Sequence, residues 1–185
     1  PRALAEALPG RAQTAGATVF MVLLAALQSL LFRYAGDSDI RVGVPVANRR
    51  RAEIEDLVGF FVNTQVVRAG MSDAMSLQQV LEGARHAVIE AQAHQDLPFE
   101  QLVEALQPDR SSGMAPLFQV LFNHQSAHGN GSLTLPGLQA QEYILPGKRA
   151  QFELVIDSVD DGEGGIAIDF IYASELFSAV RMERM

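Results

Sequence analysis

Apolar positions recur with two different periods along the 185-residue chain, and the periods predict helices and strands. Helical spacing predicts four helices, over 18–34, 76–91 and 99–106 and in the tail after 174. Alternating or β-branched runs predict five strands, over 40–46, 60–68, 116–123, 152–159 and 165–172, the last two as a hairpin. This order of elements indicates a mixed α/β fold, an α+β two-layer sandwich with helices on one face of a mixed sheet.

A polar joint separates two of the predicted helices, where the chain reads HQDLPFE. Asp96 can accept hydrogen bonds from the free N–H groups of the second helix, and Ser76 or Asp73 can cap the first in the same way. Pro98 fits the first helical turn, where no N–H donor is needed, and Glu100 complements the positive helix end. The residues alone therefore predict a helix–break–helix joint and do not imply catalysis.

Asn63 is a polar residue inside the apolar run FFVNTQVV. A polar side chain that is buried in a sheet has to find hydrogen-bond partners. Two interpretations follow from the residues with equal weight: Asn63 serves a functional site, or it ties the sheet to a neighbouring loop.

Composition excludes several classes of function. A formal net charge of −8 argues against a nucleic-acid-binding surface, and no cysteine is present for disulfides, thiolate nucleophiles or zinc–sulfur sites. The apolar run 18–32 is interrupted by Gln28 and Ser29 and closed by Arg33, which favours a buried core helix over a membrane span. The lack of cysteine fits a reducing compartment, so a cytoplasmic location without membrane partners is expected.

Two groups of histidines have the spacing or position of a metal site or a catalytic site, but neither group is complete. His86, Glu90 and His94 would line one face of a straight helix and could hold a metal, but the helix breaks after His94 and a fourth ligand is missing. No metal site is therefore expected. His124 and His128 follow a strand, where a general base can stand, but neither has an identifiable partner, and no G-x-S-x-G nucleophile elbow occurs.

Three segments, GFFVNT (59–64), HQDLPFE (94–100) and PLFQVLF (116–122), resemble successive motifs of condensation domains, the peptide-bond-forming domains of nonribosomal peptide synthetases. GVPVANR, QFEL and ASELF are also similar, so the resemblance covers nearly the whole chain. It implies a chloramphenicol acetyltransferase-like fold of two lobes in a V, with the active site in the tunnel between them. The family signature HHxxxDG belongs to the first lobe, and no adjacent histidine pair occurs here. Residues 1–185, whose ends look cut, are therefore identified as the C-terminal lobe only, without the catalytic histidine.

The resemblance implies a reaction between two carrier-bound substrates. The amine of an acceptor aminoacyl thioester attacks a donor thioester, and phosphopantetheine arms of peptidyl carrier proteins hold both. No cofactor is expected to bind the chain directly. The expected partners are carrier domains, the N-terminal lobe of the same domain and an adjacent adenylation domain, and the fragment alone is not expected to be active. The alternatives are a degenerate condensation-like domain that recruits a partner, an epimerization domain, and a stand-alone acyltransferase of the same fold.

The resemblance also assigns individual roles. Asn63 and Thr64 are expected to face the tunnel. Arg49 matches an arginine that pairs with the aspartate of HHxxxDG in the missing lobe, with Arg50 as the alternative if the register slips by one residue. Residues 48–59 are expected to form the tunnel floor, and 124–149 a segment that crosses between the lobes. The isolated lobe should expose an apolar surface where the first lobe packs.

Overall fold

The computed structural model describes residues 2–107, 115–126, 137–138, 149–160 and 163–185. The helices within these residues are α1 (Arg2–Thr14), α2 (Val19–Ala35), α3 (Ala52–Glu55), α4 (Leu77–Ala93), α5 (Phe99–Leu106) and α6 (Ala179–Glu183). The strands are β1 (Asp39–Val46), β2 (Asn63–Gly70), β3 (Val120–Gln125), β4 (Leu154–Asp160) and β5 (Ile166–Tyr172). They form one mixed sheet in the order β2-β1-β3-β4-β5. The three central strands run parallel, and β2 and β5 pair antiparallel at the edges.

The main core lies between the sheet and the two long helices, α2 and α4. Alternate residues of β1 point toward these helices, which is the two-residue period of a half-covered strand. The rings of Phe20 in α2 and Phe122 in β3 stack with centroids 5.6 Å apart. Buried apolar side chains of this core include Leu24, Leu27, Ile40, Val42, Val44, Val67, Val80, Val88, Leu154 and Ile156. The mixed sheet with its helical layer is the predicted fold.

A second, smaller apolar cluster lies on the opposite face of the sheet. The ring of Phe118 covers Gly43 of β1, where a Cβ atom would lie 2.3 Å from Phe118 Cε2. Gly43 has no side chain, and this allows the ring to lie against the strand. Phe118 is 1% exposed and packs on Phe99 and Phe152, with ring centroids 5.6 and 5.0 Å away. We call Phe99, Phe118 and Phe152 the aromatic cluster.

Two helices were not predicted from the sequence. In α1, Pro9 lies inside the helix and Ala12 is its buried residue, so the segment lacks a clear apolar stripe. The short α3 spans four residues and buries none of them. Helices of this kind show little hydrophobic periodicity in their sequence, because that periodicity arises when one face of a helix is buried.

Three predicted boundaries shift in the structure. The strand predicted over 60–68 begins at Asn63, because the β1–β2 register ends at the pair Val46–Asn63 and leaves Phe60 without a partner strand. The strand predicted over 116–123 begins at Val120, because the preceding residues carry Phe118 over the sheet. The helical tail begins at Ala179, capped by Ser178. Of the two caps predicted for α4, Ser76 and Asp73, the structure has Ser76.

In the described part of the chain, no single helix is long and apolar enough to cross a bilayer; α1 and α2 together have the length and composition for it, but they form a pair bent by 105°.

Gln28 is a fully buried amide in α2, and neither its Oε1 nor its Nε2 has a hydrogen-bond partner among the described residues. Burying an unpaired polar group costs about 1–3 kcal/mol, so Gln28→Met is expected to raise the free energy of unfolding by about that amount. Urea denaturation of the complete domain measures the change. Gln78→Met, at an exposed position of α4, is the matched control and should lie within about 0.5 kcal/mol of the parent. A drop in stability of the Gln28 variant would contradict the prediction.

Candidate functional site

Residues singled out from the sequence meet at one edge of the sheet. The parallel strands β1, β3 and β4 all end at this edge, and the antiparallel β2 begins there with Asn63, which pairs with Val46. We call it the carboxyl edge. Ligands of open sheets that contain parallel strands bind outside the carboxyl ends of those strands, so this edge is the first place to look for a site.

Asn63 connects the start of β2 to the joint between α4 and α5. Its Nδ2 donates to the carbonyl oxygens of Gln95 at 3.0 Å and Leu97 at 2.8 Å. Its Oδ1 accepts from the backbone N–H of Phe99 at 3.1 Å and of Thr64 at 2.9 Å. Asn63 therefore caps α5 from another element, and both ends of its carboxamide are occupied. This geometry is the sheet-to-loop tie that was one of the two interpretations of the sequence.

The prediction that Asp96 caps α5 is wrong. Pro98 occupies the N-cap position without a side-chain hydrogen bond, one residue before the first turn in which it was predicted. The first free N–H group, that of Phe99, is already bound by Asn63. Asp96 instead pairs with Arg50 across 3.1 Å, with both side chains mostly exposed. An exposed ion pair of this kind contributes about 0–1 kcal/mol to the free energy of folding, so the pair of Arg50 with Asp96 adds little to stability.

Arg49 organises the loop that follows β1. Its Nη1 donates to the carbonyl oxygens of Ile54 and Glu55, the latter at 3.0 Å. Its guanidinium carbon lies 4.3 Å from the centroid of the Phe61 ring, in cation–π geometry. Nε and Nη2 have no hydrogen-bond partner among the described residues. Arg49 therefore holds the loop in shape through Nη1, and its Nε and Nη2 are unpaired among the described residues.

Thr64 is half-buried next to Asn63. Because successive residues of a strand point to opposite faces, its side chain lies on the face of the aromatic cluster, whereas Asn63 points toward the joint. The structure thus brings Asn63, Thr64 and Arg49 to one edge of the sheet. That Asn63 and Thr64 face a tunnel, and that Arg49 pairs with the missing lobe, stay predictions.

Four apolar side chains beside Arg49 are open to solvent. Leu57, Val58, Phe60 and Val62 are 52%, 104%, 90% and 48% exposed. We call them the 57–62 patch. Two of them are almost fully exposed, and contiguous exposed apolar residues are typical of an interaction surface.

His124 lies at the end of β3, next to Ser158 of β4. Its Nδ1 is 2.8 Å from the Ser158 hydroxyl, and that hydroxyl donates to the carbonyl oxygen of Asn123 at 3.3 Å. Burial lowers the pKa of His124, and the negative charge of Asp160 partly opposes the shift. Sequence reasoning gave His124 no partner, because the register of β3 on β4 is a long-range pairing that the local pattern does not reveal.

The remaining sequence candidates do not form a site in the described residues. α4 ends at Ala93 with His94 as its C-cap, and the described part of the chain contains no group of three side chains that could hold a metal. His128 lies outside the described residues. So does most of the predicted crossing segment 124–149, of which only 124–126, 137–138 and 149 are described.

The chain is similar to a known protein family over its whole length. The family model described as "Condensation domain" matches residues 1–185. Malpinin synthetase of Mortierella alpina is 40% identical over 181 residues, which cover 98% of this chain and 2% of the relative. Tyrocidine synthase 3 of Brevibacillus parabrevis is 39% identical over 184 residues, which cover 100% of this chain and 3% of the relative. The chain thus spans a small fraction of the length of the curated relatives it matches.

Solved structures agree with this placement. A four-domain nonribosomal peptide synthetase bound to AMP and glycine superposes with a TM-score of 0.89 at 21% identity, covering 99% of this chain and 15% of that one. The first condensation domain of the CDA synthetase gives a TM-score of 0.72 at 23% identity and covers 100% and 41%. The teicoplanin X-domain, in a complex with OxyB, gives 0.82 at 25% identity and covers 95% and 39%. The fold is the chloramphenicol acetyltransferase-like fold of condensation domains, and the chain belongs to the condensation-domain family of nonribosomal peptide synthetases.

Proposed function

We propose that this chain is the C-terminal lobe of a condensation domain that joins two carrier-bound substrates through an amide bond. The acceptor amine attacks the thioester carbonyl of the donor, the tetrahedral intermediate collapses, and the thiol of the donor phosphopantetheine arm leaves with a proton. The catalytic histidine of HHxxxDG belongs to the first lobe, so this lobe contributes surface and alignment to the reaction. The phosphopantetheine arms are parts of the substrates and not resident cofactors.

The observation that carries the proposal is the exposed 57–62 patch beside Arg49. This chain accounts for 41% of the length of a solved condensation domain, so most of that domain lies outside it. The N-terminal lobe is the proposed cover of the patch. Arg49 has Nε and Nη2 available, and the aspartate of HHxxxDG is its proposed partner, since a guanidinium and a carboxylate can form two parallel hydrogen bonds.

Asn63 and Thr64 are proposed to form part of the tunnel wall. The carboxamide of Asn63 is fully used in holding the joint, which favours a role in fixing the wall over direct contact with substrate. Peptidyl carrier domains and an adenylation domain are the proposed partners. Because adenylation draws on cellular ATP, the proposal places the protein in the cytoplasm.

The test is a condensation assay of the parent protein with two loaded carrier proteins, monitored for dipeptidyl thioester. We expect product, and a rate lowered by about tenfold or more in Arg49→Ala, because a misplaced histidine loop loses alignment of the reacting groups. Arg33→Ala is the control, since Arg33 is an exposed arginine of α2 outside residues 48–59, and it should keep the parent rate. Absence of product from folded protein with both carriers loaded would overturn the proposal.

A second candidate function is recruitment of a partner protein without catalysis. It is favoured by the similarity to the teicoplanin X-domain, whose structure was solved in complex with OxyB. The sequence upstream of this lobe discriminates the two, because catalysis needs an intact HHxxxDG motif and recruitment does not.

A further inference from the structure

A cavity at the carboxyl edge lies between α2, α4 and the ends of β1 and β3. Its volume is about 180 Å³, and its walls include the apolar side chains of Phe20, Val44, Val67 and Val88. Gln92 is solvent-exposed on α4 and marks where the cavity opens. We call it the His124 cavity, because His124 supplies its one ionisable lining side chain among the described residues.

Gln65 and Asn123, two other polar residues that line the cavity, already have side-chain hydrogen bonds. The Nε2 of Gln65 donates to the carbonyl oxygen of Ala91 in α4. The Nδ2 of Asn123 donates to Asp157 Oδ1 at 3.3 Å, across to β4. His124 is different, because its Nδ1 is bound and its Nε2 has no hydrogen-bond partner among the described residues.

The neighbouring hydroxyl determines which nitrogen of His124 carries the proton. Ser158 is 1% exposed, and its hydroxyl lies within hydrogen-bond distance of both the carbonyl oxygen of Asn123, at 3.3 Å, and His124 Nδ1, at 2.8 Å. The carbonyl oxygen of Asn123 can only accept, so with the hydroxyl hydrogen on it the Ser158 oxygen accepts from His124; in this tautomer the ring proton lies on Nδ1 and Nε2 has a lone pair. Burial lowers the pKa of His124, so the ring is neutral at pH 7 and Nε2 remains an acceptor.

The cavity is small for a complete ligand. Sites for drug-sized molecules are about 300–1,000 Å³, so a volume of 180 Å³ suits one part of a larger substrate. Val46 lines the cavity and ends β1, three residues before Arg49. The cavity therefore adjoins the loop that is proposed to meet the other lobe, where carrier-bound substrates would enter.

We infer that the His124 cavity is a subsite for the side chain of an aminoacyl substrate, and that His124 Nε2 accepts a hydrogen bond from an O–H or N–H group of that side chain. The inference rests on the proposed function and adds a specificity-determining residue to it. An apolar cavity with one oriented acceptor favours a side chain that carries a donor over an isostere without one, because the isostere would leave the buried acceptor unpaired.

The test is equilibrium binding of two stable probes, threonyl- and valyl-aminopantetheine amides, to the complete parent protein. These side chains have the same shape and differ by a hydroxyl group. The parent is expected to bind the threonyl probe about tenfold more tightly, and His124→Phe is expected to bring the ratio of the two dissociation constants to about one. His86→Phe makes the same substitution at an exposed position of α4 and should keep the tenfold ratio.

Ser158→Ala provides a second, independent variant. It leaves the ring of His124 in place but removes the group that fixes its proton on Nδ1, so the ratio should fall without a loss of the cavity. Equal binding of the two probes by the parent would overturn the inference, and so would an unchanged ratio in either folded variant. A retained ratio without any dipeptidyl thioester would overturn the proposed function and leave the subsite intact.

The pH dependence of the ratio of the two dissociation constants distinguishes a hydrogen bond to His124 from a preference for the shape of the probe's side chain. Among the described lining residues, those from α2, α4, β1 and β2 are all non-ionisable, and Asp160 of β4 is the charged neighbour of His124. Because burial lowers the pKa of His124 below its ordinary value of 6.5, the ring is neutral and the ratio should be constant between pH 7 and pH 8. It should fall at lower pH, where protonation turns Nε2 into a donor. A ratio that does not fall at any acidic pH at which the parent protein remains folded would overturn the role of His124.

Discussion

Phe118→Ala is expected to lower the free energy of unfolding of the complete domain by about 3–5 kcal/mol, the range for removing a fully buried phenylalanine side chain. The ring of Phe118 is 1% exposed and lies between Gly43 of β1 and the rings of Phe99 and Phe152. Removing it leaves a cavity on the face of the sheet opposite to α2 and α4. Urea denaturation followed by tyrosine fluorescence and circular dichroism measures the loss.

A double-mutant cycle with Gly43 tests the cause. Gly43→Ala alone is expected to cost about 1–3 kcal/mol or more, because the added Cβ would lie 2.3 Å from the Phe118 ring. The same change in the Phe118→Ala background should cost much less, since the clash is gone. Leu77→Ala, at a position 79% exposed, is the control and should change stability by about 0.5 kcal/mol at most. Additive effects of the two core substitutions would refute the contact.

Asn63→Ala is expected to loosen the joint between α4 and α5 more than any other part of the lobe. The substitution removes the acceptor for the Phe99 N–H and both donors to the carbonyl oxygens of Gln95 and Leu97. Losing several side-chain hydrogen bonds to backbone groups costs about 1–3 kcal/mol, so amide exchange of α5 should accelerate by about tenfold or more. Hydrogen exchange with mass spectrometry of the complete domain resolves the effect to this segment.

One further variant shows which atoms of Asn63 are responsible, and a variant of Gln101 is the control. Asn63→Asp keeps the acceptor for the Phe99 N–H but sets a carboxylate oxygen against the carbonyl oxygens of Gln95 and Leu97, so exchange of α5 should accelerate at least as much as in the alanine variant. Gln101→Ala removes an exposed amide from α5 and should leave exchange unchanged. Unaltered exchange of α5 in Asn63→Ala would contradict the capping role, and a lower condensation rate at unchanged exchange would instead indicate contact with substrate.

At the joint between α4 and α5, local sequence patterns predicted the two helices but not the residue that caps the second one. Helical spacing on both sides of HQDLPFE predicted α4 and α5, and Pro98 correctly marked the start of the second helix to within one residue. The cap was assigned to Asp96 because local residues are the usual source of a capping oxygen. The structure supplies that oxygen from Asn63, 36 residues earlier than Phe99, and sequence spacing carries no information about such a contact.

The same limit applies to Phe60 and to His124. Phe60 lies in a run of high strand propensity, yet strand formation requires a paired neighbour, and β1 ends opposite Asn63. His124 had no partner in the local sequence, whereas the parallel pairing of β3 with β4 brings it to Ser158. In both cases the deciding interaction is a long-range strand pairing.

The sequence by itself determined the class of fold, the family and most of the helices and strands. Hydrophobic periodicity and family motifs are local patterns, so short segments of the sequence contain them completely. Only the tertiary structure decided which side chains meet: Asn63 with the joint, Phe118 with Gly43, and His124 with Ser158. The hydrogen bonds from Asn63 to the joint span 32 to 36 positions of sequence, and the contact of His124 with Ser158 spans 34. Such contacts depend on strand order and register, which follow from packing the whole lobe and not from any local pattern.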